Sequence, residues 1–497
     1  MVDVTVVGSG PNGLAAALTC ARAGLSVRVI EAEQQLGGGA RTAELLEAGF
    51  HHDLCSGVHP MLVASPFFRW AGLDRSVPFT TPEISYAHPL PDGAALAWQD
   101  LRRTADGLGV DGPAWRRLLS PLIRRIDRVS AGTMDSPLHP GAATPTMARL
   151  GLAALRATAQ PFRTEQARAL LAGVSAHGIG ARALPAALIG VTLAVQAHAG
   201  GWPIPHGGSQ AITDALLDQL RARGVQFVTG HRVASLDELE GEAMLLSVTP
   251  AQLAALAGRR LPLSTRAQYR AFRHGPGVAK LDATLDGPIP WRDQRLARAG
   301  TVHLGGAAGE VRYSERSVAA GRMPARPFVL LAQQSMFDAA RAPAGKHTLY
   351  AYAHVPNGHA GDATEAILRT IEEHAPGVRD LIRMTRLTTP AMLERHNPTY
   401  VGGDIAAGAT TLRQLIARPR LSPRPWATGL PGVYLCGAST APGPAVHGMA
   451  GHRAAQLALA QRFGIRPGMT GRARRRAIGA AGIGARLGRA AGGAARR

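Results

Sequence analysis

Val4-Thr-Val-Val-Gly-Ser-Gly-Pro-Asn-Gly-Leu-Ala-Ala-Ala17 decides the fold. Its β-branched start predicts a buried strand over residues 2–7, and the glycines that follow predict a turn. Residues 12–23 read as a helix that Gly24 stops, and residues 26–31 read as the next strand. In that context Gly8-x-Gly10-x-x-Gly13 is a dinucleotide turn. Gly8 permits the tight bend, Gly10 lets the backbone approach a pyrophosphate, and Gly13 lets helix and strand pack closely. Pro11 and Asn12 stand at the helix start, whose dipole faces the negative charge. Glu31 ends the second strand, placed to accept hydrogen bonds from a ribose diol. An acid there disfavours a 2′-phosphate, so NADP is not expected at this turn. The expected class is α/β, with a Rossmann-type nucleotide domain.

The surrounding chain is long enough for more than one core. At 497 residues, with 46% hydrophobic and 18% charged residues, it reads as a two-lobed globular protein. Its net charge of +21 raises nucleic acid as a partner. Against that, Lys280 and Lys346 are the only lysines, and aromatic residues do not interleave with the arginines as a stacking platform requires. Residues 472–497 carry eight arginines and no acid, so much of the excess sits in one tail. No nucleic-acid partner is expected. Cys20, Cys55 and Cys436 are far apart and form no Cys-x-x-Cys, which argues against a disulfide framework, a dithiol centre or a metal site. No apolar run reaches the length of a membrane span. With no basic leader before the first strand, a cytoplasmic location is expected, with peripheral membrane contact open through residues 183–195 or the arginine tail.

Two further blocks share the character of the first. Residues 209–223 predict an amphipathic helix, followed by short strands at 225–228 and 244–248; residues 432–436 predict a strand leading to a helix over 447–463. The economical arrangement is one nucleotide domain assembled from residues 1–75, 201–261 and 421–466. Residues 76–200, expected to be mostly helical, and 262–420, expected to alternate strands and turns, form a mixed α+β substrate lobe. Residues 467–497 read as a basic, disordered tail.

Leu36-Gly-Gly-Gly-Ala-Arg-Thr42 and Gly49-Phe-His-His-Asp53 narrow the nucleotide, as does Cys436-Gly-Ala-Ser-Thr-Ala-Pro-Gly-Pro-Ala-Val-His-Gly-Met-Ala-Gly451. With them the chain resembles the phytoene-desaturase-related, amine-oxidase-like FAD oxidoreductases. The likeness is strongest to the subgroup containing pyridine nucleotide-disulphide oxidoreductase domain-containing protein two. It extends through residues 201–210, 299–306, 350–356 and 401–404. The resemblance implies FAD as cofactor. It implies that Gly38, Gly39, Arg41 and Thr42 lie along the pyrophosphate and that Val233 meets the adenine through its backbone. It further implies that Gly437, Val446, His447, Gly448 and Met449 meet the flavin ring. The family form sets the arginine directly after the glycine pair, whereas here Gly39 and Ala40 precede Arg41.

The catalytic candidates are Lys280, near the flavin N5 in related oxidases, and His447, where the last turn meets its helix. His303, Tyr352 and His354 are candidate cavity residues. The expected activity is dehydrogenation, desaturation or isomerisation of an apolar, isoprenoid or lipid-like molecule by hydride transfer to flavin. A flavoprotein that mainly binds partners and an NAD-dependent dehydrogenase are the alternatives. The residues name no electron acceptor.

Overall fold

The computed structural model describes residues 2–139, 144–159 and 161–466; the tail at 467–497 lies outside them. Strand Val4–Val7 pairs in parallel with Val27–Ile30 on one side and Ala243–Leu246 on the other. Gln226–Val228 and Val433–Leu435 extend the sheet outward, also in parallel. Short β-branched and leucine-rich strands suit this centre, because both sheet faces are covered by helices. Helices Pro11–Arg22, Gln210–Arg221 and Met449–Arg462 supply much of that cover, and Leu14, Leu18, Ile212, Leu216 and Ala455 lie in the shared core. The sheet therefore draws its strands from three widely separated stretches of chain.

A second sheet has seven strands, in the order Ile382–Thr388, Gly277–Leu285, His347–Val355, Val329–Ala332, Ala299–Leu304, Ile84–Leu90 and Gly93–Trp98. It is antiparallel except where Ala299–Leu304 meets Ile84–Leu90. Strand alternation gives it two different faces. Ala279, Leu281, Ala283, Leu349, Ala351 and Ala353 form one core beside Ile367 and Ile371 of helix Thr364–Glu372. Lys280, Asp282, Tyr350, Tyr352 and His354 occupy the alternate positions, in register across the strand pair.

The stretch over 76–200 is mostly helical, as expected, but it also contributes the strand pair Ile84–Leu90 and Gly93–Trp98, which the sequence did not announce. Every residue of Ile84–Leu90 is buried, so no two-residue alternation marks it as a strand. Its hairpin signal is Pro91-Asp92-Gly93, with Gly93 at φ +125°. Most of the other described residues of that stretch are helical, and Pro145–Thr158, Glu165–Ser175 and Ala183–Ala199 pack with Trp115 and Trp202 in an aliphatic core.

Candidate active site

The nucleotide turn is built as its glycines require. A Cβ at Gly13 would stand 1.9 Å from the Gly8 carbonyl oxygen, so no other residue fits there without backbone movement. Gly10 precedes helix Pro11–Arg22 at φ −62°, and no side chain caps that helix end. The last helix, Met449–Arg462, begins after Gly448 at φ +68°, and that glycine offers no side chain to cap it. The two helix starts meet: the Gly451 N–H donates to Asn12 Oδ1 at 3.5 Å, and a Cβ on Gly451 would lie 1.7 Å from the Asn12 carbonyl oxygen. Two positive dipole ends thus converge on one point, 439 residues apart in sequence.

The neighbouring loop completes the cradle. Gly38, at φ +56°, lies so near the first turn that a Cβ would reach 2.8 Å from the Gly10 Cα. Arg41 is 4% exposed and donates from Nε to the Gly38 carbonyl at 2.8 Å and from Nη1 to the Gln35 carbonyl at 3.2 Å. Its Nη2 lies against the imidazole of His396. Glu31 accepts from the Ser9 N–H and hydroxyl at 2.7 and 2.6 Å, and from the Glu33 N–H at 3.0 Å. Two converging helix N-termini, the first of them uncapped, a buried guanidinium and an anchored carboxylate are the partners a diphosphate and a ribose diol require. These residues fit a dinucleotide.

Other expected contact residues have defined places. The Thr42 hydroxyl donates to Asp53 at 2.7 Å and accepts from the Gln210 N–H at 3.1 Å, tying the loop to the helix that follows residue 209. A Cβ on Gly39 would meet the Tyr400 hydroxyl at 2.1 Å. Val233 packs beside the cluster containing Ile30 and Leu236, and the neighbouring His231 N–H donates to the Glu31 carbonyl at 3.0 Å. Gly437 follows strand Val433–Leu435, 3.2 Å (from its Cβ position) from the Ser247 backbone. Val446 is buried against the nucleotide-domain core.

The two catalytic candidates stand in different surroundings. His447 is enclosed: Nδ1 accepts from the Met449 N–H at 3.0 Å and Nε2 lies 3.2 Å from the Gly443 carbonyl. Both ring nitrogens are therefore occupied by backbone, and burial lowers its pKa to about 4. Lys280 sits in mid-strand, 2% exposed, paired with Asp282 and 4.6 Å above the Tyr350 ring. His52 Nδ1 lies 3.4 Å from the same Asp282 carboxylate. Burial pushes the Asp282 carboxyl up, but Lys280 and His52 outweigh it and leave the pKa lowered. The Tyr350 hydroxyl donates to the Cys55 carbonyl, and Cys55 lies beside Gly39. Lys280 therefore stands where the second sheet closes on the glycine loop. His303 and His354 lie further along the same layer, with His303 Nε2 at 2.9 Å from His177 Nε2 and His354 Nδ1 at 2.6 Å from Glu315.

A flavin family model, described as flavin-containing amine oxidoreductase, matches residues 12–459. The chain belongs to that family. Its cofactor is FAD, and it is an amine-oxidase-like oxidoreductase. A phytoene dehydrogenase of Streptomyces griseus is 30% identical over 78% of this chain and 79% of its own length. The rat protein called pyridine nucleotide-disulfide oxidoreductase domain-containing protein 2 is 24% identical over 92% and 93% of the two chains. A solved putrescine oxidase structure superimposes with a TM-score of 0.60, at 17% identity over 92% of this chain and 99% of that one. That likeness concerns the fold. Among the described residues no helix is long and apolar enough to cross a membrane, and no side-chain cluster could hold a metal ion.

Sequence reasoning missed His396, Tyr400, His52 and Arg341. Asp282 carried a signal, since an acid two residues from a lysine in a strand shares its face. The buried histidines also set an acid limit. Burial lowers His59, His88 and His447 to about 4 and His177 to about 3, from 6.5. A depressed folded pKa means that the unfolded state binds more protons between those values, so stability falls as pH drops through that window. The thermal midpoint is expected to be insensitive to these groups above pH 6.5 and to fall between 6.5 and 4. A midpoint unchanged down to pH 4 would contradict their buried, neutral state.

Proposed function

We propose that the protein dehydrogenates, desaturates or isomerises an apolar, isoprenoid or lipid-like substrate, with residues 1–75, 201–261 and 421–466 holding FAD. Residues 76–200 and 262–420 would form the substrate lobe. Bound FAD supplies the two-electron acceptor, its N5 taking the hydride. Gly8, Gly10, Pro11, Asn12, Gly13, Gly38, Gly39 and Arg41 would hold the diphosphate, Glu31 the ribose and Val233 the adenine. Gly437, Val446, Gly448 and Met449 would hold the ring. The observation that carries this reading is the position of Lys280, the single buried lysine, between the polar face of the second sheet and the glycine loop. Its ammonium would orient water or the reacting end of a substrate there. His447, with both nitrogens committed to backbone, would fix the turn at the last helix.

Two observations support an apolar substrate. Helix Ala183–Ala199 contains no charged residue, and it packs with Leu170, Val174 and Trp202 over the strand pair that starts at Ile84. The Streptomyces relative is named for phytoene. Anaerobic mixing of the FAD-loaded protein with a polyprenoid hydrocarbon should bleach the flavin; bleaching by primary amines alone would overturn this substrate class. Lys280→Met should slow that bleaching by about 100-fold or more while FAD content stays unchanged, because Asp282 keeps His52 as partner. An unaltered rate would remove Lys280 from the reaction.

A further inference from the structure

Residues 258–276 and 405–432 contain nine arginines and no aspartate or glutamate. The fold clasps these two stretches together. The Arg273 N–H donates to Gln414 Oε1 at 2.8 Å, Gln414 Nε2 returns to the Arg273 carbonyl at 3.0 Å, and the Leu421 N–H donates to Gln268 Oε1 at 2.9 Å. Between them lies a cleft of about 420 Å³ whose walls include Ala271, Phe272, Ile416 and Leu421, with Arg413 beside them.

Around that cleft large apolar side chains face solvent. Leu263 is 80% exposed, Leu421 65%, Leu412 53% and Ile416 42%. Helical spacing aligns them: Leu412 and Ile416 are four apart, and Leu263, Ala267 and Ala271 continue at the same interval, so both stripes run toward the cleft. Arg259, Arg270, Arg273, Arg413 and Arg424 are exposed on the same two stretches. Among the described residues, Arg260 alone of the nine lies within 4 Å of a carboxylate, that of Asp237.

We infer that this face docks on an anionic phospholipid bilayer. Leu263, Leu412, Ile416 and Leu421 enter the headgroup–acyl boundary, and the surrounding arginines engage lipid phosphates. Charge complementarity selects an anionic partner, and four exposed aliphatic side chains inside the basic field select a bilayer over a nucleic acid. A nucleic-acid platform would need exposed rings, whereas Phe272 and Trp426 are buried. The face is also joined to the cofactor end. Arg418, from the same stretch, is buried and donates to the carbonyls of Ala438 at 3.1 Å and Gly408 at 3.3 Å, fixing it to the C-terminal turn. This docking does not depend on what the enzyme oxidises.

The test uses the full chain loaded with FAD and co-sedimented with vesicles. Phosphatidylcholine vesicles with roughly 30 mol % phosphatidylglycerol should bind it, and phosphatidylcholine alone should not. Leu412→Asp with Leu421→Asp should weaken binding at least ~10-fold, as should Arg413→Glu with Arg424→Glu, with flavin absorbance unchanged as the readout of an intact fold. Equal binding to neutral vesicles, or no binding to anionic ones, overturns the inference. So does wild-type binding by the leucine variant, which would assign the contact to the basic tail, or retention of a single-stranded RNA without retention of vesicles.

Discussion

Arg341→Leu is expected to cost about 3–5 kcal/mol of stability, enough to abolish folding in a marginally stable protein. Arg341 is 1% exposed and joins parts of the chain that no local structure connects. Its Nη1 donates to Asp53 at 2.9 Å, its Nε to Asp338 at 3.0 Å and its Nη2 to the Pro205 carbonyl at 3.3 Å. Asp53 also accepts from the Ser209 N–H at 2.8 Å and from Thr42, while Asp338 accepts from the Gly207 N–H at 2.7 Å. Removing the guanidinium leaves two carboxylates buried without their countercharge. Leucine cannot satisfy them, and solvent cannot reach them. A urea titration should show the loss, against Arg295→Leu as control. Arg295 bridges Asp293 at the surface with its side chain 54% exposed, and its removal should cost below about 1 kcal/mol. Equal stability of the two variants would refute the countercharge role.

The same network adds an acid dependence of defined sign. Burial pushes the Asp53 carboxyl up, but Arg341, the Ser209 N–H and Thr42 outweigh it, leaving the pKa below the usual 3.8. A depressed carboxylate contributes stability that is complete above 3.8 and is lost as pH falls below it. This loss follows the histidine window, so acid should unfold the protein in two overlapping stages.

How much of this was legible depends on distance along the chain. Gly8, Gly10, Gly13 and Glu31 were readable because strand, turn, helix and acid lie within one short unit. The last helix was readable for the same reason, as glycines and small residues mark its entry. The strand Ile84–Leu90 was hidden, because burial of every residue removes the alternation that betrays a half-buried strand. Arg341 was hidden differently. Its partner Asp53 lies 288 residues away, and neither residue's neighbours announce the pair. The contact of Arg41 with His396 spans 355 residues and is equally silent in one dimension. Only Asp282 was available and passed over, since its two-residue spacing from Lys280 places both on one sheet face.

Gly10→Leu is expected to fold normally and lose its flavin, whereas Gly13→Ala and Gly451→Ala should lose both fold and flavin. The glycines look interchangeable in sequence, and the structure separates them. At Gly10 the backbone has an ordinary φ of −62°, and an added Cβ meets nothing nearer than the Gly38 Cα at 4.0 Å. No protein atom crowds a Cβ there, so the backbone tolerates a side chain at this position. The open space is the side of the turn facing Gly38 and the uncapped helix start, where the diphosphate must pass close to backbone. A leucine would fill that space and weaken FAD by about 100-fold or more, roughly 2.7 kcal/mol. At Gly13 and Gly451 an added Cβ would stand 1.9 Å from the Gly8 oxygen and 1.7 Å from the Asn12 oxygen, against backbone that cannot rotate away. There the strand–helix contact and the crossing of the two helices must open, which removes the support of the whole site. Far-ultraviolet circular dichroism and flavin absorbance after gel filtration distinguish the outcomes. A flavin-replete Gly10→Leu protein would move the cofactor away from the first turn, and a stable Gly451→Ala protein would deny that the two helix starts meet at Asn12.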